Sequence, residues 1–248
     1  MIKVLQNKRQ IFFSRLWLKL MGRSALAFNR ENKVQVGSLL AVGDYIKSWD
    51  VNLALNFISK SVNKIEPILD IGTFCSELPI ALHKMHFQNI FGIDLNPDVI
   101  KMPFTSKINY KCGDFLNTGY PQDFFSAITA ISVIEHGYSP HKMFLEISRL
   151  LKPGGYFICS FDFWPSKIDT RSIKIFEMTW DIFNWDEVLS MVRVAKEYDL
   201  LPLTPLNYTK INRPCIHCFG KSYSFAFMIF RKLDENIKIL VKEGSRDT

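Results

Sequence analysis

Five carboxylates and one glycine stand at or just past the ends of apolar segments: Asp70, Gly72, Asp94, Asp114, Glu135 and Asp162. The run Ile68-Leu69-Asp70-Ile71-Gly72 reads as a short buried strand that delivers an acid and a glycine into a turn. A helix-like segment follows, and about twenty residues later a second strand, Ile90-Phe91-Gly92-Ile93-Asp94, ends in another acid. Strand, glycine turn, helix, strand, acid is the layout of a nucleotide-binding βαβ unit. Carboxylates so placed accept hydrogen bonds from a ligand's polar edge, and the glycine lets the main chain approach it closely. The chemistry to expect is therefore the holding of a nucleoside-bearing cofactor. One imidazole, His136, follows Glu135 just past a further apolar segment, where a base would be placed.

The elements that must position these groups are legible from periodicity. Val42 to Lys60 carries apolar residues at helical spacing. Pro67 starts the first strand, and Ser76 caps a helix running to about Phe87, with Pro79 in its first turn. Strands follow at Asn89 to Asp94 and Lys107 to Lys111, with Asn96-Pro97-Asp98 opening a short helix between them. Phe125 to Val133 is nearly all apolar, as a fully buried parallel strand would be. A helix from Pro140 to about Leu151 is stopped by Lys152-Pro153-Gly154-Gly155, which turns into a strand from Tyr156 to Phe161. An irregular stretch, Asp162 to Trp185, precedes a helix from Asp186 to Tyr198 and strands at Leu200 to Leu206 and Ser222 to Arg231. Seven strands alternating with helices give an α/β fold, a doubly wound, mostly parallel sheet with helices on both faces. In such sheets ligands bind outside the carboxyl ends of the strands, where all six residues fall.

Bulk properties narrow the function classes. The 248 residues suit one α/β domain with additions. The net charge of +7 lies wholly in the first thirty residues: Lys3, Lys8, Arg9, Arg15, Lys19, Arg23 and Arg30 precede the first acid, Glu31, and charge balances thereafter. That distribution argues against a nucleic-acid face across the fold. The same arm carries Ile11, Phe12, Phe13, Leu16, Trp17, Leu18, Leu20 and Met21 among its cations. It reads as a helix packed on its own domain or lying on an anionic membrane or a partner, so residues 1–30 are a candidate peripheral membrane contact. No apolar run is long enough to span a bilayer. The expected organisation is a basic amphipathic arm over residues 1–40, a domain over 41–233 and a charged tail over 234–248. Five cysteines, an odd number, point to reduced thiols and a cytoplasmic setting. Cys215-Ile216-His217-Cys218 is half of a zinc site with no second pair, so no metal is expected.

Five motifs in order resemble the class I S-adenosylmethionine-dependent methyltransferases, of the methyltransferase-domain-11 kind. They are Ile68-Leu69-Asp70-Ile71-Gly72, Gly92-Ile93-Asp94, Cys112-Gly113-Asp114-Phe115, Val133-Ile134-Glu135-His136 and Arg149-Leu150-Leu151-Lys152-Pro153-Gly154-Gly155. The resemblance runs from about Val42 to Leu206 and implies a Rossmann-like fold with S-adenosyl-L-methionine as cofactor. It implies that Gly72 and Asp70 hold the methionine end and that Asp94 accepts from the ribose hydroxyls. It further implies that Asp114 reads the adenine amino group, with Phe115 beside the ring and Leu95 covering a face. Ser76 would donate to the cofactor carboxylate. In the family the first loop reads Asp-x-Gly-x-Gly-x-Gly; here it is Asp70-Ile71-Gly72-Thr73-Phe74-Cys75-Ser76, with Phe74 and Ser76 in the later glycine places.

The activity so implied is direct methyl displacement onto a small-molecule or glycan-type acceptor, with His136 as base. Asp162, Trp164 and Trp180 would bind the acceptor, residues 162–185 forming the lid insertion that this architecture commonly places there. Two alternatives stand beside it: a catalytically inactive scaffold of the same fold, its pocket blocked by Phe74, and a membrane-associated methyltransferase docked through the arm. No Asn-Pro-Pro-Tyr-like base-flipping signature occurs, so a nucleic-acid acceptor is disfavoured.

Overall fold

The computed structural model describes residues 2–24, 42–137, 139–203, 206, 211 and 213–234. A two-residue strand, β1 (Lys3–Val4), leads into α1 (Lys8–Leu20), and α2 (Ser48–Ser61) precedes β2 (Ile68–Ile71). Then come α3 (Leu78–Lys84), β3 (Ile90–Asp94), a 3-10 turn at Pro97–Lys101, β4 (Ile108–Cys112), β5 (Phe125–Ile131) and α4 (Pro140–Leu150). The rest comprises β6 (Leu151–Phe163), the hairpin β7 (Lys174–Ile175) and β8 (Met178–Thr179), α5 (Trp185–Glu197), β9 (Leu200–Pro202), β10 (Ile216–Cys218) and β11 (Lys221–Lys232).

Seven strands form one path in the order β1-β11-β6-β5-β2-β3-β4, with the short β9 and β10 also paired to β11. β4, β3, β2, β5 and β6 are mutually parallel, and β11 runs antiparallel to β6 from Ser224 opposite Phe163 to Arg231 opposite Tyr156. The order reverses between β2 and β5, which opens a crevice at their carboxyl ends. Side chains alternate along each strand and so build two cores. Ile68, Ile90, Ala127, Ile158 and Phe225 pack with α1, α2 and α3. Leu69, Ile93, Ile128, Phe157 and Met228 pack with α4 and α5.

Several boundaries differ from those the sequence suggests, each for a local reason. α2 starts at Ser48 rather than near Val42. Lys152-Pro153-Gly154-Gly155 does not separate helix from strand. It lies inside β6 as an irregularity, where Phe125 faces Leu151 but Ala127 already faces Tyr156. Two hairpins escaped notice because neither carries an Asn-Gly or Asp-Gly signal. Phe176 and Glu177 turn β7 into β8 at φ 54° and 61°, and Phe219 and Gly220 turn β10 into β11 at 46° and 71°. Positive φ at both central positions matches the strand twist, and tertiary packing supplies what residue preference does not.

The described residues of the basic arm are built into the domain. Lys3 and Val4 pair with Phe227 and Ala226 of β11. α1 is held at its start by a capping box, Asn7 with Gln10. Its face of Ile11, Ser14, Arg15 and Leu18 is buried. Arg15 is only 3% exposed, and all five of its N–H groups are used. Nε donates to Ser48 Oγ at 2.8 Å and one terminal nitrogen to Ser24 Oγ and Glu77 Oε2 at 3.1 and 2.9 Å. The other donates to the Asp44 carbonyl and Glu77 Oε1 at 2.8 and 2.6 Å. Such a bidentate, desolvated pair is strongly destabilising to break from one side, because the orphaned carboxylate stays buried. Arg15→Ala is therefore expected to lower unfolding free energy by about 3–5 kcal/mol, read from urea denaturation. The double variant Arg15→Met with Glu77→Leu should recover most of that loss; a single variant with unchanged midpoint would refute the assignment.

Candidate active site

The crevice opens at the turn after β2. Asp70 is 1% exposed and points from the second-last position of β2 toward β5, where Oδ1 accepts from the Thr129 hydroxyl at 2.5 Å. Its other oxygen, Oδ2, is buried with no hydrogen-bond partner. Burial raises the Asp70 carboxyl to about 6, the nearby Asp94 charge adding to the shift and the hydroxyls of Thr129, Ser76 and Thr73 opposing it. Thr73 and Ser76 ease the shift without closing a bond to Oδ2. Gly72 sits at φ +67°, and a Cβ there would lie 2.4 Å from Val133 Cγ2. The turn is thus glycine by both conformation and contact. Gly92 opposite makes room for Thr73, since a Cβ would stand 2.7 Å from the threonine methyl.

The loop after Gly72 is fastened to the end of β3. Asp94 Oδ2 accepts from the Phe74 amide at 2.9 Å and Oδ1 from the Asn96 amide at 2.8 Å. Each oxygen keeps a further lone-pair direction for a ligand hydroxyl. Leu95, next along, is 55% exposed. Ser76 accepts from the Leu78 amide at 3.3 Å, so its hydroxyl sits at the start of α3. The Phe74 ring is half-buried against the α1–α3 core layer. Beyond β4, Asp114 is exposed and its Oδ1 accepts from the Leu116 amide at 2.8 Å, while Phe115 is half-buried against the opposite core.

A second cluster lies beside the first, around the carboxyl ends of β5 and β6. Asp50, on α2, is fully buried; Oδ2 accepts from the Ser160 hydroxyl at 2.9 Å. Burial raises its carboxyl to about 6, against the pull of the Lys47 charge. Glu135 and Asp162 are also buried and also raised, by burial first; their mutual repulsion lifts Glu135 further, and Lys47 opposes the shift of both. Two such carboxyls hold their protons to higher pH than free ones do. Asp162 Oδ2 accepts from the Trp180 indole at 2.8 Å, whereas Asp162 Oδ1 and Glu135 Oε2 have no partner. Lys47 holds the Ser132 hydroxyl and lies 3.8 Å from the centre of the Phe225 ring. His136 is half-buried near Phe176 with Nδ1 unpartnered, and burial together with the Lys47 charge pulls its imidazole down to about 4. It is neutral at ordinary pH.

Asp70, Gly72, Ser76, Asp94 and Leu95 thus lie along the turn after β2 and the end of β3, with Asp114 and Phe115 beyond β4. Asp162 and Trp180 are bonded to each other, whereas Trp164 packs on both cores and its amide donates to the Phe183 carbonyl at 3.0 Å. Lys47 and Asp50 were missed by sequence reasoning. The available signal was an acid within the apolar stripe Trp49, Val51, Leu55, Ile58, where a charge needs a partner. Among the described residues no group of three or more His, Cys, Asp or Glu is arranged to hold a metal ion. Cys215 precedes β10 and Cys218 ends it, and between them His217 Nδ1 meets the Ser222 hydroxyl at 2.8 Å.

Residues 69–159 match a family model described as a methyltransferase domain. Over this segment, rather more than a third of the chain, the sequence is similar to methyltransferase domains that take S-adenosylmethionine as cofactor. It is similar to a sterol 24-C-methyltransferase of Gibberella zeae, with 28% identity over 36% of this chain and 26% of that protein. It is also similar to a ubiquinone biosynthesis O-methyltransferase of Coxiella burnetii, with 29% identity over 41% of this chain and 46% of that protein. The matched part thus spans from about a quarter to about half of these relatives' lengths. Among solved structures, geranyl diphosphate C-methyltransferase from Streptomyces coelicolor A3(2) superposes with a TM-score of 0.56 at 14% identity, covering 89% of this chain and 98% of that one. That likeness concerns the fold.

The residues present fit such a cofactor. A buried carboxylate oxygen without a partner beside a glycine turn suits an ammonium group, and the exposed Leu95 suits an apolar ring. Phe74, in a place where glycine is usual, turns its ring onto the core.

The raised carboxyls set a pH dependence. A group whose folded pKa lies above its unfolded value stabilises the fold below the unfolded value and loses that contribution as pH rises through the folded one. Asp50 moves from 3.8 to about 6, so between about pH 4 and pH 6 the fold should lose ~3 kcal/mol from this group. Asp50→Asn should make unfolding free energy fall less steeply across that window by a comparable amount, read from urea midpoints. Equal slopes in the two proteins would contradict the assignment.

Proposed function

We propose that the chain is a methyltransferase that moves the methyl group of S-adenosylmethionine to a small-molecule acceptor at the carboxyl edge of the sheet. The observation that carries this reading is the unpartnered, buried Asp70 Oδ2 next to the positive-φ Gly72, inside the segment that matches the methyltransferase family. Asp70 would take the cofactor's ammonium group and Asp94 the ribose hydroxyls, with Leu95 and Phe115 along the adenine and Asp114 reading its amino group. Ser76 would donate to the carboxylate. The bound cofactor would supply an electrophilic methyl carbon and leave as a thioether.

The acceptor would lie on the side of Asp162, Glu135 and His136. One named relative is a sterol methyltransferase and the other an O-methyltransferase of ubiquinone biosynthesis, and both names support an acceptor of small-molecule size. Neutral His136 would take the proton that an acceptor hydroxyl or amine loses on methylation. Asp162 Oδ1 and Glu135 Oε2 would accept from the acceptor's polar hydrogens, which fits a molecule with at least one donor. Trp180 fixes Asp162 from behind, and Trp164 would flank the acceptor. The insertion spanning 162–185 would close over it, and a glycan-type acceptor is the narrower form of the same reading.

Calorimetry with S-adenosylhomocysteine tests the proposal. The wild-type chain should bind with Kd on the order of micromolar, and Asp70→Asn and Asp94→Ala should each weaken binding at least about tenfold. His136→Gln should keep that affinity while slowing methyl transfer. Absence of any heat at millimolar ligand would overturn the enzymatic reading and favour a scaffold whose Phe74 loop stays closed.

A further inference from the structure

The helix α1 has two apolar faces, and among the described residues only one of them is packed against the fold. Ile11, Leu18 and the buried Arg15 lie against the domain. Phe12, Phe13, Leu16, Trp17 and Leu20 are between 42% and 71% exposed. At about 100° per residue these five side chains sweep an arc of roughly 140° on the outer side of the helix. Five large side chains exposed to about that extent present ~500 Å² of apolar surface, as large as the biggest patch on an ordinary monomer. Met21, 47% exposed, extends the patch past the helix end.

Charge decides what fits this surface. Lys8 and Lys19 run along one border of the arc, Arg9 lies within it at the amino-terminal end, and Lys3 precedes it. All four are exposed and none takes part in an ion pair among the described residues. No acid occurs in the chain before Glu31. Across the Lys8 border, a groove of about 370 Å³ between α1 and β10 continues the apolar surface to Ile46 and Ile216. A second copy of the chain fits poorly, because a two-fold contact would bring Lys8, Arg9 and Lys19 against the same residues of the partner. A negatively charged lipid surface fits both features at once. The apolar arc enters the boundary between headgroups and acyl chains, and the cations meet anionic headgroups. The buried Arg15 and β1 hold the helix rigidly enough to present that face without unfolding. We infer that α1 is a membrane-docking element, which seats the chain in the plane of an anionic leaflet. No helix among the described residues is long and apolar enough to cross a membrane, so the docking is peripheral.

The test is co-sedimentation of the full chain with vesicles of phosphatidylcholine alone or with about 30% phosphatidylserine. Thermal midpoints of every protein are measured alongside, to show that it is folded. Wild type should pellet with the anionic vesicles, and raised salt should release part of it. Phe13→Glu with Trp17→Glu, both on the exposed arc, should weaken recovery at least about tenfold with an unchanged midpoint. The charge reversal Lys8→Glu, Arg9→Glu, Lys19→Glu should abolish the preference for phosphatidylserine. The docking is overturned if wild type stays in the supernatant with both vesicles, or if the folded Phe13→Glu, Trp17→Glu variant pellets like wild type. It is equally overturned if wild type is a dimer without lipid and that variant a monomer, which would make the face a contact between copies. None of these readouts uses methyl transfer or cofactor binding, so this inference fails or stands apart from the proposed activity.

Discussion

The Arg15 guanidinium is the point on which the arrangement of the crevice depends. Its five donors reach α2 through Ser48, the chain leaving α1 through Ser24, the segment before α2 through the Asp44 carbonyl, and the start of α3 through Glu77. Glu77 is the residue just before α3, one position after Ser76. The turn that follows β2 is thereby bounded at one end by its own strand and at the other by a cation from the amino-terminal helix. Gly43 adds a main-chain tie, its amide donating to the Cys75 carbonyl at 2.9 Å. A neutral side chain could fill the same volume, but it could not satisfy two carboxylate oxygens, two hydroxyls and a carbonyl in one plane.

The second determinant is the choice of polar groups on the inner face of the sheet. Asp70, Thr129, Ser160 and Asp162 occupy alternating positions that in β2, β5 and β6 otherwise carry core residues. Each is placed near a strand end, where sheet and helices leave room for a ligand. The cost of burying the carboxyls of Asp50, Asp70, Glu135 and Asp162 is offset partly by hydroxyl donors and the indole of Trp180 and, for all but Asp70, by the charge of Lys47. A folded core has no use for unpartnered oxygens at Asp70, Glu135 and Asp162. They are left for a water or a ligand to satisfy.

Much of the fold could be read from the chain because its signals are local. The strands around Asp70 and Asp94 announce themselves by short apolar runs that carry an acid at or next to their ends, and the helices of both layers by their periodicity. The two hairpins could not be read, because Phe176-Glu177 and Phe219-Gly220 adopt positive φ under tertiary pressure. The crevice was legible where it depends on a strand end and a glycine. It was illegible where it depends on α2, because nothing in the sequence brings Lys47 and Asp50 to residues eighty and more positions away. The arm offered cations and aromatics in plain view, but only packing tells that Arg15 turns inward while Phe13 and Trp17 do not.

The pairing of β1 with β11 joins the beginning of the domain to its end. Lys3 and Val4 lie opposite Phe227 and Ala226, the Leu5 amide donates to the Phe225 carbonyl, and the Leu5 carbonyl receives the Ser224 hydroxyl. During synthesis the first twenty or so residues therefore emerge from the ribosome long before their sheet partner exists. Contacts of that sequence separation close late. The inner face of α1 can close on Ser48 and Glu77 as soon as those residues are made, whereas β1 waits for β11 until nearly the whole domain has been synthesised.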